Sequence, residues 1–163
     1  MKKILLTLMA IFAFGLQNVC AQDAPLKIVT NHPDLSIKVK RCAASGKTVI
    51  IDLILNNLGT SDIEKIESWG GNGNFSEAYD DEGNIYQGDN IKVRVANREG
   101  YKSYSCGVFK IPVGVPIKYS ICLENVPASV ESIARLSLEF KCERWGLNSE
   151  KLVRISNIPI ARD

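Results

Sequence analysis

The sequence predicts an all-β fold, an antiparallel β-sandwich of about seven to nine strands. Three observations carry that prediction. Apolar and polar residues alternate with period two in many short runs. Glycine, asparagine and proline separate the runs at the points where tight turns are needed. Only one short stretch shows a helical period, residues 61–67, where Ser61 and Glu64 can form a capping box and Ile63 and Ile66 stand one turn apart.

The chain opens with Lys2 and Lys3, the apolar run Ile4 to Leu16, and the small-residue end Val19-Cys20-Ala21. A basic start, a short apolar segment and a small-residue end make a secretory signal peptide, with cleavage after Ala21. The run is shorter than the ~20 residues a spanning helix requires. Lipidation at Cys20 is the rival reading, but Gln17-Asn18-Val19-Cys20 matches a lipoprotein signal poorly. The expected organisation is therefore a leader over 1–21, an N-terminal lead over 22–33 and a single domain over 34–163. Removing the leader takes away two lysines and no acid, so the net charge of +2 belongs to the leader and the remainder is neutral. A neutral chain has no electrostatic draw toward nucleic acid. No later stretch approaches membrane length, so the expected location is the periplasm, the cell surface or the medium.

The strands follow in order. Leu35, Ile37 and Val39 alternate with Ser36, Lys38 and Lys40. Residues 48–55 are β-branched and apolar on nearly both faces and read as a central strand. Ile91, Val93 and Val95 alternate with Lys92, Arg94 and Ala96. Residues 104–111 and 116–124 flank a nearly symmetric turn, Ile111-Pro112-Val113-Gly114-Val115-Pro116-Ile117, and read as a hairpin. Ala134, Leu136, Leu138 and Phe140 alternate with Arg135, Ser137, Glu139 and Lys141, and residues 151–156 supply a last strand.

Four cysteines remain after the leader: Cys42, Cys106, Cys122 and Cys142. An even count in an exported chain points to disulfides, and no pair has Cys-x-x-Cys zinc spacing. The hairpin would set Cys106 opposite Cys122, leaving Cys42 for Cys142; free thiols are the alternative.

His32 is the single histidine and lies in the lead, a poor place to fix an imidazole base. Asp52, in the most apolar strand, would have a raised pKa if buried, but no second carboxylate is placed beside it. Acidic residues gather around Asp80, Asp81 and Glu82, where closely spaced oxygens suggest calcium. Their spacing does not match an EF-hand, and a solvated turn over 80–84 accounts for them. No cofactor is expected. The most distinctive loop, Trp69-Gly70-Gly71-Asn72-Gly73-Asn74-Phe75, has three glycines that suggest mobility and two aromatics at its ends. Trp69 and Phe75, with Tyr79 and Tyr86 nearby, are the candidate ligand-binding residues, since exposed aromatics stack on sugars or anchor partners. The loop's one alternative role is to tuck Trp69 into the sandwich edge. Asn74-Phe75-Ser76 is a glycosylation triplet that matters only in a eukaryotic pathway. Trp145 is expected to close one end of the core.

Several of these segments together resemble a known group. Leu55-Asn56-Asn57-Leu58-Gly59, Ala78 through Tyr86 with its Asp-Glu-Gly-Asn turn, Phe109 through Pro116, and Asn125-Val126-Pro127 recur in this order. The chain resembles the secreted bacterial immunoglobulin-like β-sandwiches of unknown function, especially the DUF4352 type, over residues 35–140. That resemblance implies an extracytoplasmic module without established catalytic residues; the four cysteines depart from it. The expected function is a non-enzymatic interaction module that binds a protein or envelope component. A carbohydrate-binding module built on the Trp69–Phe75 loop is the first alternative, and a calcium-stabilised adhesion domain the second.

Overall fold

The computed structural model describes residues 25–142 and 153–162. Its strands are β1 Lys27–Thr30, β2 Leu35–Ser45, β3 Thr48–Asn57, β4 Ile63–Trp69, β5 Glu77–Tyr79, β6 Ile85–Tyr86, β7 Ile91–Val95, β8 Ser105–Ile111, β9 Ile117–Leu123, β10 Ser132–Cys142, β11 Val153–Pro159 and β12 Ala161–Arg162. They form two sheets. The larger runs β1-β11-β10-β4-β8, with β5 also on β10 and β6 on β5. The smaller runs β12-β2-β3-β9-β7. Every strand pair is antiparallel except β12 on β2. The all-β sandwich expected from the alternation is what the chain forms. Among the described residues it has twelve strands, with the short β1, β5, β6 and β12 added to the seven to nine expected.

Alternation decides what is buried. From the smaller sheet Val49, Ile51, Leu53, Leu55, Ile91, Val93, Tyr119, Ile121 and Leu123 turn inward, and from the larger Ile66, Ile111, Leu136, Leu138, Val153 and Ile155. Tyr119 of β9 meets Phe140 of β10 edge-on at 5.2 Å, and its hydroxyl bonds Ser68 of β4 at 2.5 Å. The one polar tip in this part of the core thus finds its partner across the sheets, as a buried phenol requires.

Four expectations change. The segment around Gly114 is not a hairpin. β8 pairs β4 in the larger sheet, whereas β9 pairs β3 and β7 in the smaller. Residues 112–116 are an arch from sheet to sheet, turned by a bond from Val115 N to Pro112 O and by Gly114 at φ 72°. Arch and hairpin ask for the same alternation on both arms, and Pro112 and Pro116 lack the N–H that a ladder would use.

Residues 61–67 are not helical. Ile63–Trp69 is a strand, and both isoleucines face the core because Lys65, at φ 53°, bulges out of the ladder. Ile63 is opposite Ile111 and Ile66 opposite Phe109, so β4 has one extra residue there. An inserted residue turns a period of two into a spacing of three, which imitates a helix.

The expected lead contains β1, which lies antiparallel on β11. The strand expected over 151–156 is described from Val153 and runs on to Pro159, and β12 follows it. The leader, with Cys20 and Ala21, and Trp145 lie outside the described residues. Among the described residues no helix is long and apolar enough to cross a membrane.

Candidate functional site

The loop after β4 is held by its glycines rather than loosened by them. A Cβ on Gly70 would stand 2.6 Å from the Lys102 carbonyl oxygen, and one on Gly71 would strike the Ile91 side chain and stand 2.5 Å from the Gly88 carbonyl oxygen. The close approach lets Gly71 N donate to Ile91 O at 2.9 Å, Asn72 N to Ser103 O at 2.8 Å and Gly88 N to Gly71 O at 3.0 Å. Ser76 closes the loop: its hydroxyl donates to Trp69 O at 2.6 Å and accepts from Glu139 N at 3.2 Å. Ser76 is fully buried, which ties up the third residue of the triplet 74–76.

Ser68 points inward, so Trp69 points out. Trp69 lies opposite Glu139 of β10 on the outer face of the larger sheet. Phe75 packs on it with ring centroids 4.8 Å apart. The Lys141 ammonium lies 4.4 Å from the Phe75 centroid and 5.1 Å from that of Trp69, and 3.4 Å from the Glu139 carboxylate. Glu139 is only 3% exposed, so this ion pair is partly desolvated. Both rings are half-buried, and the indole N–H is enclosed with no hydrogen-bond partner, which costs stability.

Farther along β10, Arg135 is opposite Tyr79 of β5 and lays its guanidinium 4.3 Å from the ring centroid. Glu77 accepts from the Tyr79 hydroxyl at 3.3 Å and lies 3.9 Å from Arg135. Three of the four expected aromatics, Trp69, Phe75 and Tyr79, therefore share one face. Tyr86 does not join them. It pairs with Ala78 on the inner side, is 4% exposed, and gives its hydroxyl to Asp80 at 2.7 Å. Burial, then the Asp80 carboxylate, raise its pKa.

The acidic turn is structural. Asp80 also accepts from Glu82 N at 3.0 Å, Asn84 N at 2.8 Å and Asn84 Nδ2 at 2.9 Å. Burial would raise its pKa, but these bonds and that of Tyr86 outweigh it and hold the carboxyl below the usual range. Asp81 accepts from Ser132 N at 2.9 Å and Ser132 Oγ at 3.1 Å, pinning the start of β10. Glu82 is exposed. Among the described residues no group of three histidine, cysteine or carboxylate side chains could hold a metal ion.

The expected disulfides are not formed: Cys42, Cys106 and Cys122 are free thiols. Cys106 and Cys122 belong to strands of different sheets. Gly107, at φ 80°, puts a bulge in β8 that turns Cys106 toward the core, whereas Cys122 lies beside Lys92 on the outer face of the smaller sheet. Cys42 faces the core opposite Ile51, and the side chain of Cys142 lies outside the described residues. Asp52 is buried on the outer face of the smaller sheet, but its pKa is lowered rather than raised. Burial pushes it up; Ser120 at 2.6 Å, Lys118 at 3.3 Å and Arg41 at 3.5 Å pull it further down. His32 accepts from Asp34 N at 3.2 Å through Nδ1.

Sequence reasoning took Glu77 only as part of the acidic cluster with Asp80, Asp81, Glu82 and Asp89, and it missed Arg135, Glu139 and Lys141. Their alternation along β10 marks one face, but their partners depend on how β4 and β5 share the same edge of β10.

No family model and no curated protein matches the sequence. Among solved structures, the chain is similar to a family 123 glycoside hydrolase from Clostridium perfringens, with a TM-score of 0.40 and 10% identity over 85% of this chain and 27% of that one. It is also similar to AvmM, which catalyses macrocyclization in alchivemycin A biosynthesis, with a TM-score of 0.35 and 8% identity over 67% of this chain and 72% of that one. The chain thus spans about a quarter of the hydrolase.

Proposed function

We propose that the chain is an exported, non-enzymatic interaction module of the DUF4352 type, whose contact surface is the outer face of the larger sheet. The observation that carries this reading is the half-buried Trp69–Phe75 pair on the outer face, fixed by a tightly bonded loop and flanked by the Lys141–Glu139 ion pair. A preformed aromatic anchor with a charged rim is what protein interfaces use. The acids around it are engaged with Lys141, Arg135 and Tyr79. A carbohydrate ligand is the second reading. It draws on Trp69 and Tyr79, which share the face four residues apart along β10, roughly 14 Å at strand spacing. Cations cover part of both rings, which favours the first reading.

The test is retention of the purified protein on isolated cell-envelope fractions and on a glycan array. Trp69→Ala and Phe75→Ala should each weaken envelope binding by about tenfold, a loss typical of an interface anchor, while cooperative unfolding is kept. Glycan hits abolished by Trp69→Ala would transfer the reading to carbohydrate. Turnover in a hydrolase panel that disappears in Glu139→Gln would overturn the non-enzymatic reading.

A further inference from the structure

β8 is the last strand of the larger sheet, and among the described residues no strand pairs beyond it. A bare edge offers a row of N–H and C=O groups to any extended chain. Arg98 covers this one. It lies in the turn after β7, the edge strand of the other sheet, and donates from Nη1 to Cys106 O at 2.7 Å and from Nη2 to Val108 O at 2.6 Å. Gly107 makes room: a Cβ there would come within 3.0 Å of Nη1. The fork of one guanidinium thus occupies two outward carbonyls in succession, which an ammonium cannot do.

We propose that β8 is a strand-accepting edge for a second copy of this chain, and that Arg98 keeps it closed. The residues of the edge point to a second copy. Val108, in the middle of β8, is 57% exposed. In an antiparallel ladder a residue's N–H and C=O point to the same side, so both groups of Val108 face the open edge. A two-fold pairing of β8 with β8 centred on Val108 uses those two groups twice and puts the two valine side chains together. Such a self-complementary pairing is what a closed dimer needs. Lys110 of one copy then falls opposite Cys106 of the other rather than opposite Lys110. Each Lys110 is already matched within its own chain by Asp62 at 3.2 Å and Glu64 at 3.9 Å, so the edges do not repel. The Val108 carbonyl is the group the central pair requires, and it is the one Arg98 Nη2 holds.

The experiment is light scattering of the full chain across a concentration series, for wild type, Arg98→Ala, Arg98→Lys and Arg98→Ala/Val108→Pro. Releasing two charge-assisted hydrogen bonds should tighten dimerisation of Arg98→Ala by about 10- to 100-fold. Arg98→Lys, which cannot span both carbonyls, should tighten it less. Val108→Pro takes away the N–H on the open side and leaves the groups of β8 that bond β4, as an edge strand tolerates, so a folded double variant should return to monomer. A folded Arg98→Ala that dimerises no more tightly than wild type would overturn the proposal. So would a double variant that still dimerises. Should Arg98→Ala fail to fold, Arg98→Lys and its Val108→Pro partner are read in the same way.

Discussion

Tyr86 donates its phenol proton to Asp80 at 2.7 Å, with both side chains closed off from solvent. Two expected site residues, one for stacking and one for calcium, thus satisfy each other. Removing the hydroxyl in Tyr86→Phe leaves a buried carboxylate oxygen one partner short and should cost about 1–2 kcal/mol. Asp80→Ala also loses the three donors of the turn and should cost about 3 kcal/mol. Urea unfolding measures both. Addition of calcium should leave both midpoints unchanged.

Asn57 ties the end of β3 to the loop that follows it and to the end of β8. Its Nδ2 donates to Ser61 O at 2.8 Å and to Ile111 O at 3.0 Å, and its Oδ1 accepts from Gly59 N at 2.9 Å. It is 4% exposed. Asn57→Ala leaves three polar groups without partners and should cost about 3 kcal/mol in denaturant unfolding. Asn57→Asp should also destabilise, since a carboxylate turned toward two carbonyls cannot donate.

Asp52 predicts a pH dependence. Its folded pKa lies below its unfolded value of about 3.9, so the ionised group stabilises the fold above that pH. The contribution is lost as pH falls through the folded pKa. Asp52→Asn should therefore be less stable than wild type at neutral pH and should lose less stability as pH falls below about 4. Denaturation midpoints across that range give the comparison, and Ser120→Ala should move the curve in the same direction by a smaller amount.

The thiols should be slow. Burial pushes Cys42 up to about 12, with Arg162 pulling weakly the other way, and burial is also the first cause of the raised values at Cys106 and Cys122. Only the thiolate reacts, so alkylation at pH 8 should be at least about 100-fold slower for Cys42 in the folded protein than in urea, and Cys106 and Cys122 should also be slowed. Peptide mapping of differentially labelled protein resolves each cysteine. A non-reducing map should show no Cys106–Cys122 link.

The sandwich was legible because alternation is local: residues 35–40, 48–55, 91–95 and 134–141 show which side is buried without reference to any partner. Pairing is not local. The arms around Gly114 read the same whether they close on each other or diverge to two sheets, and that ambiguity produced the expected Cys106–Cys122 bond. Lys65 and Gly107 each shift the alternation by one residue, which hid β4 in the first case and reversed Cys106 in the second. The site was half legible. Trp69 and Phe75 announce themselves at the ends of a glycine loop, and Tyr79 follows. Glu139 and Lys141 become their neighbours only through the register of β4 on β10, and Asp80 claims Tyr86 through a turn whose hydrogen bonds no spacing rule reveals.

The larger sheet joins an early strand to a late one: among the described residues β1, at residues 27–30, pairs only with β11, at residues 153–156. A ribosome delivers these segments in order, first to last. Until the closing strands emerge, the opening strand has nothing to zip onto, and this edge of the sheet stays unmade. Completion of the sandwich thereby waits for residues 153–156 to emerge, and a truncation before residue 153 would leave β1 without that partner.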